Sequence, residues 1–202
     1  MLCYHLYVFD LRPIIWHKSA NNRAFIYIGR VVVMVDNSVE LRQEVFTSDA
    51  WKIIDWLEDD EVTKYLNEGQ NVCESIREII YRINMPILTH LFNQNGSFFM
   101  VTTSEKEPIG FLRLVPKGKR AEMVIVIGDR EKWNKGFGTN AIAEGLKHAF
   151  FEWRVDEVIA KINFNNEYSK RAFKKLGFTE DKELSKEIQY SLSMKDFLEQ
   201  VS

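Results

Sequence analysis

The 202-residue sequence is short of the residues that staple, ligate or span. Its two cysteines, Cys3 and Cys73, are 70 residues apart and match no metal spacing; a reduced, cytoplasmic setting is expected rather than a disulfide framework. Four histidines, at 5, 17, 90 and 148, are scattered, and no metal site is expected. Long apolar runs are missing: Ala24 to Val35 is too short for a bilayer and contains Arg30. No basic leader precedes an apolar core at the N-terminus, so secretion is not expected. Nor is there an excess of one charge. The formal net charge is −2, which offers no global basic field for nucleic acid. What remains is 46% apolar and 28% charged, the balance of a globular chain long enough to bury a core.

Two regions are expected, an aromatic arm or hairpin over 1–34 and a main domain over 35–202. In the first, Ser19–Asn22 reads as a turn between the β-prone runs Pro13–His17 and Phe25–Val35. So apolar an arm needs a surface to pack on, its own domain or a second subunit, and a homodimer is therefore a possible partner state. In the second, Val39–Arg42 alternates like a strand, and Thr47–Asp49 offers caps for a helix through Leu57. Asp60 reads as the cap of a further turn, and a helical region spans about 73–91, interrupted near Pro86. Strands follow at 97–103, 109–115 and 121–127, joined by short turns. A helix is expected over 139–153, a strand over 156–162, a helix from Asn165-Asn166 to Leu176, strands over 178–184 and 187–193, and a helical tail. The order gives an α+β fold with one right-handed βαβ unit.

The centre of this plan is Trp133-Asn134-Lys135-Gly136-Phe137-Gly138-Thr139-Asn140. It lies between an apolar strand and a helix. Two glycines let backbone N–H groups point together at a helix start, where the unpaired donors and the helix dipole bind anions. Gly136 to Ala141 also fits the dinucleotide pattern G-x-G-x-x-(G/A), with Asp156 20 residues after Gly136. Against a dinucleotide oxidoreductase, eight residues separate Ile127 from Gly136, and only 64 follow Gly138. The preceding strands are also joined too tightly to be parallel.

Three stretches carry a resemblance: W-N-K-G-F-G-T-N at 133–140, N-N-E-Y-S-K-R-A-F-K-K-L-G-F at 165–178, and E-P-I-G at 107–110. With the element order, residues 39–198 resemble the GCN5-related N-acetyltransferase (GNAT) superfamily. Trp133 and the opening L-R…W-L…V…Y-L are most similar to its ribosomal-protein-alanine (RimJ/RimL-type) branch. The resemblance implies a mixed, mostly antiparallel twisted sheet with helices on both faces and a splayed strand pair. It implies acetyl-CoA as co-substrate, without a metal. The acetyl and pantetheine arm would lie on Val126, Ile127 and Gly128, and the pyrophosphate on Trp133, Asn134, Lys135, Gly136, Phe137, Gly138 and Thr139. Asn166 would reach pantetheine. The acceptor would be a primary amine, either a protein N-terminus or a small cationic amine such as a polyamine or aminoglycoside.

Acetyl transfer needs a neutral amine, and a lysine-like amine has a pKa near 10.4. Glu122 is the candidate base; its other reading is a cross-strand pair with Lys119, Arg120 or Arg113. Many family members have Tyr where this chain has Phe173, which cannot donate a proton. Ser169 matches the Ser of N-x-x-S near the sulfur, and as a first-turn residue it reads equally as a backbone cap. Phe173 keeps a non-catalytic CoA-binding module open. Lys175 is a candidate phosphate contact or a solvated helix residue. Glu58-Asp59-Asp60-Glu61 would attract a cationic amine or serve as helix-end charges. Trp51 and Trp56 read as core, and Glu74, Arg77, Glu78 and Arg82 as a surface ion-pair array.

Overall fold

The computed structural model describes residues 23–28, 31–66, 71–83 and 85–201. The chain divides into two units, residues 1–38 and 39–202. In the first, β1 (Arg23–Ile28) pairs antiparallel with β2 (Val31–Asp36), from Arg23↔Asp36 to Ile28↔Val31. The run expected as one strand is thus two strands paired as a hairpin. The run at 13–17 and the turn at 19–22 lie outside the described residues.

The second unit runs β3 (Val39–Arg42), α1 (Thr47–Glu58), α2 (Asp60–Thr63), α3 (Val72–Arg82), α4 (Thr89–Phe92), β4 (Ser97–Thr103), β5 (Pro108–Lys117), β6 (Arg120–Ile127), α5 (Phe137–Lys147), β7 (Glu157–Asn163), α6 (Glu167–Lys175), β8 (Thr179–Glu183), β9 (Glu187–Ser193) and α7 (Met194–Val201). Its seven strands lie in the order β3-β4-β5-β6-β7-β9-β8. Every neighbouring pair is antiparallel except β6 and β7, the strands of the βαβ unit.

Strand alternation sorts the core onto two faces. Leu112, Leu114, Ala121, Met123, Val158 and Ala160 point to one, packed with Ile142 and Leu146 of α5 and Phe173 of α6. Gly145 sets the distance there, because a Cβ would sit 2.8 Å from Leu112 Cδ1 and 2.9 Å from Met123 Cε. Phe98, Met100, Phe111 and Val126 point to the other face, under Ile53 and Ile54 of α1 and Ile76 of α3.

Several local details differ from expectation. Asp49 does not cap α1 from outside. It is the third helical residue, 3% exposed, and accepts the Phe46 N–H at 2.8 Å. The Arg42 Nη2 lies 2.9 Å from both its oxygens, tying β3 to α1. Trp51 is not core: it is 36% exposed, edge-on to Tyr81, because the inner stripe of α1 is Ala50, Ile53 and Ile54. The region 73–91 breaks after Arg82, and α4 is a single turn, since Ile87 bridges to Phe46 and Leu88 donates to Val45. The helix expected to reach 153 ends at Lys147 and closes in a wider π turn, His148–Glu152. Asp49→Ala would leave the Arg42 guanidinium without its carboxylate. It is expected to lower stability by about 3–5 kcal/mol in urea titrations, the scale for breaking a buried ion pair; a loss below about 1 kcal/mol, the scale of an exposed pair, would refute this role.

Candidate active site

The site begins where a ladder stops. β6 and β7 pair at only three positions, Arg120↔Glu157, Ala121↔Val158 and Glu122↔Ile159. Beyond these, β6 stays paired with β5 as far as Gly110↔Ile127, and β7 with β9 as far as Asn163↔Glu187. The two strands therefore diverge, each held by its outer neighbour. Backbone groups alternate between the edges of a strand. The Gly128 N–H donates to the Ile109 carbonyl of β5 at 2.9 Å, so residues in step with Gly128, Val126 among them, face β5. Ile125 and Ile127 face the gap. The Ile127 carbonyl is taken there by the Trp133 indole N–H at 2.7 Å. The Ile127 N–H and both backbone groups of Ile125 have no ladder partner.

Gly128 itself is buried under an aromatic ring, since a Cβ would lie 2.1 Å from Trp56 Cγ. Of Val126, Ile127 and Gly128, only Ile127 thus opens its backbone to the gap. Ile125 completes the edge. The period of two, counted back from the loop, carries that information in the sequence.

The loop after β6 is shaped for donors. A short 3₁₀ turn, Arg130–Lys132, is capped by Asp129 and delivers Trp133. Asn134 (φ 58°) and Gly136 (φ 89°) are left-handed, a sparse region for residues other than glycine. Gly136 is the N-cap of α5 and provides no side-chain cap, and the first helical bond is Asn140 N–H to Gly136 O at 3.0 Å. The N–H groups of Phe137, Gly138 and Thr139 precede that bond, so they have no partner within the helix. Phe137 is 4% exposed and anchors the loop in the core. Lys135 is exposed at the loop's tip.

Gly138 has neither of the usual internal reasons to be glycine. Its φ is not positive, and a Cβ there would meet only Ile127 Cγ1, at 3.6 Å. Space is left free at Gly138, in the turn whose donors are uncapped, which is what a phosphate approaching the backbone needs.

Across the gap, Asn166 caps α6 by accepting the Ser169 N–H at 3.1 Å. Ser169 is half-buried in the first turn. Phe173 is 2% exposed and edge-on to Phe178, 4.9 Å away, hence a core residue. Lys170 donates to the Phe164 carbonyl and to Glu167, which holds the Glu167 carboxyl below its ordinary range. Lys174 donates to Glu180 and holds that carboxyl down as well; Glu180 also accepts from the Tyr190 hydroxyl, whose pKa burial raises. Lys175 is exposed.

Glu122 sits at the last paired position before the gap, its side chain 16% exposed. Its partners differ from those expected: Lys161 Nζ at 3.1 Å and Lys117 Nζ at 3.9 Å. Lys161 lies two residues past Ile159, on the same face as Glu122. Lys119 and Arg120 instead reach Asp156 and Glu157. The acidic run is mostly committed: Glu58 to Arg77, Asp59 to Arg130 and to the cap of α2, and Glu61 to Lys64. Asp59, not Asp60, is that cap. Arg77 thus serves Glu58 on α1 rather than a neighbour on its own helix, whereas Arg82 and Glu78 do pair as expected. A cavity of about 490 Å³, lined by Leu57, Glu58, Val72 and Arg77, lies among α1, α2 and α3, apart from the gap. No group of three or more metal-ligating residues occurs among the described residues, and none of their helices is long and apolar enough to cross a membrane.

Residues 39–179 match the family described as "Acetyltransferase (GNAT) domain". The chain belongs to the GNAT acetyltransferases. It is an acetyl-CoA-dependent acyltransferase by class, and the dinucleotide alternative falls with the family and the antiparallel β5–β6 pair. A Bacillus subtilis (strain 168) protein called uncharacterized N-acetyltransferase YoaA is 28% identical over 142 residues, 69% of this chain and 78% of that protein. The Vibrio cholerae spermidine N-acetyltransferase, solved with CoA and spermine, superposes with a TM-score of 0.66 at 18% identity, covering 80% of this chain and 98% of that one. A Bacillus anthracis GNAT-family acetyltransferase gives 0.63 at 20%, covering 78% and 96%. These structures share the GNAT fold with this acetyltransferase.

Trp133→Phe would remove the indole donor from Ile127 and loosen the loop. A stability loss of about 1 kcal/mol, the worth of one hydrogen bond, is expected with weaker acetyl-CoA binding by calorimetry; unchanged affinity would show that the loop does not depend on this bond.

Proposed function

We propose that this protein is an N-acetyltransferase that moves the acetyl group of acetyl-CoA to a primary amine, with the thioester in the β6–β7 gap. The free space above Gly138, over three uncapped donors, carries the reading. The pyrophosphate would take the N–H groups of Phe137, Gly138 and Thr139, with the turn from Trp133 to Gly136 around it. The backbone of Ile125 and Ile127 would bond the pantetheine amides and the thioester carbonyl, much as an oxyanion hole does. Asn166, whose Oδ1 is taken by the Ser169 N–H, would offer its Nδ2 to pantetheine from the start of α6. The Vibrio cholerae protein's complex with CoA supports the co-substrate.

Glu122 would take the proton of the attacking amine, directly or through water, while its ion pairs with Lys161 and Lys117 fix its position. Ser169 would donate a hydrogen bond to the departing sulfur. The acceptor classes compatible with the family resemblance are a protein N-terminus and a small amine such as a polyamine. A cytoplasmic location and a homodimer are part of the same reading.

Two substitutions test it. Glu122→Gln should lower kcat by about 10²-fold or more, the usual contribution of a positioned base, and remove the rise of rate with pH; an unchanged profile would transfer the role elsewhere. Gly138→Val should weaken acetyl-CoA binding at least about tenfold, roughly 1.4 kcal/mol, with little loss of fold, since the protein itself leaves room for the branch. Unaltered binding would end the phosphate-loop assignment.

A further inference from the structure

The face of the sheet opposite α5 carries more cations at the gap than it neutralises. Residues opposite one another in a ladder share a face. Glu122 lies opposite Val115 and Ile159, and Val124 lies opposite Arg113, which in turn lies opposite Phe98. Lys117, Arg113 and Lys161 are therefore all on the Glu122 face, each a diagonal or next-pair neighbour of that carboxylate. Arg120 and Glu157, opposite one another, are on this face too and pair with each other, and Glu187, opposite Asn163, is a further acid there. Lys117 and Lys161 both turn to Glu122. Arg113 is half-buried beside Phe98 and Phe111, and it makes neither an ion pair nor an aromatic contact among the described residues. It stands opposite Val124, one pair past Glu122, beside the part of β6 that the ladder has released.

A guanidinium half removed from water without an anion is costly, and Arg presents a planar fork suited to carboxylates. The phosphates of CoA do not reach it, because α5 and its uncapped turn lie on the other face. The opposite face, packed by α1 and α3 over Phe98, Met100, Phe111 and Val126, is the one on which an acceptor would reach Glu122, since α5 and α6 fill the first. From this, and resting on the transferase reading above, we infer that Arg113 is a specificity-determining residue that binds a carboxylate carried by the acceptor amine. The acceptor class is then an amine with a nearby carboxylate, a free amino acid or a peptide N-terminus with an acidic side chain, and not a polyamine. The same cations disfavour an ammonium next to them, which helps the amine arrive neutral.

The test measures CoA thiol release by the full chain with acetyl-CoA and a panel of amines. The panel holds free glutamate and its diamide, C-terminally amidated peptides beginning Ala-Glu and Ala-Gln, and spermidine. The carboxylate forms should exceed their amide counterparts by about tenfold or more in kcat/KM, the worth of one charge-assisted contact. Glutamate and the acidic peptide separate the two sources of the carboxylate. Arg113→Gln should abolish the preference through KM for the acceptor, with KM for acetyl-CoA unchanged, and Arg113→Lys should restore part of it. Preference for spermidine, or a preference for carboxylates that survives Arg113→Gln, would overturn the assignment and leave the transferase reading intact. Bound acetyl-CoA with no amine acetylated would overturn the transferase reading and this inference with it.

Discussion

The interruption of the β6–β7 ladder after Glu122↔Ile159 governs the rest of this structure. A parallel pair inside a sheet normally continues, because an unpaired backbone group shielded from water costs about as much as a lost hydrogen bond. Here both strands keep their outer ladders, so the opening is held by β5 on one side and β9 on the other. The inner edges of Ile125 and Ile127 are left as a rigid row of polar groups. Trp133 closes the end of that row through the Ile127 carbonyl. In doing so it sets where the loop turns and where α5 begins.

The glycines show how one residue type is used for different constraints. Gly136 is there for a left-handed φ, Gly145 for the contact of α5 with Leu112 and Met123, and Gly128 for the ring of Trp56. Gly138 meets none of those demands. What remains is room outside the protein, above donors that no side chain caps. The two faces of the sheet are then divided by cover and by charge: helices α5 and α6 close one, and on the other, packed by α1 and α3, Glu122 is held between Lys117 and Lys161.

Much of the fold was legible in the sequence because its signals are local. Strand 97–103 coincides with β4, and β6, β7, α6 and β9 begin or end within a residue or two of expectation. Gly177 stops α6 at φ 85°, as a glycine past a helix end should. The misreadings involve pairings that periodicity does not contain. Phe25–Val35 has the composition of one strand and folds as two. Trp51 has helical spacing but lies off the inner stripe of α1. Of the candidate site, the glycine loop before α5 was legible as a motif, and Asn166 as a helix cap. Ile125 was missed although the period of two points to it. The Lys161–Glu122 pair and the isolation of Arg113 depend on the register between strands far apart in sequence, which no single sequence displays.

Amide hydrogen exchange tests the central claim directly, with and without acetyl-CoA. The account predicts added protection at Ile125 and Ile127, on the open edge, and at Phe137, Gly138 and Thr139, with Ile142 and Leu146 further along α5 little changed. Protection confined to the cavity among α1, α2 and α3, around Val72 to Arg77, with the β6 edge exchanging as before, would contradict it.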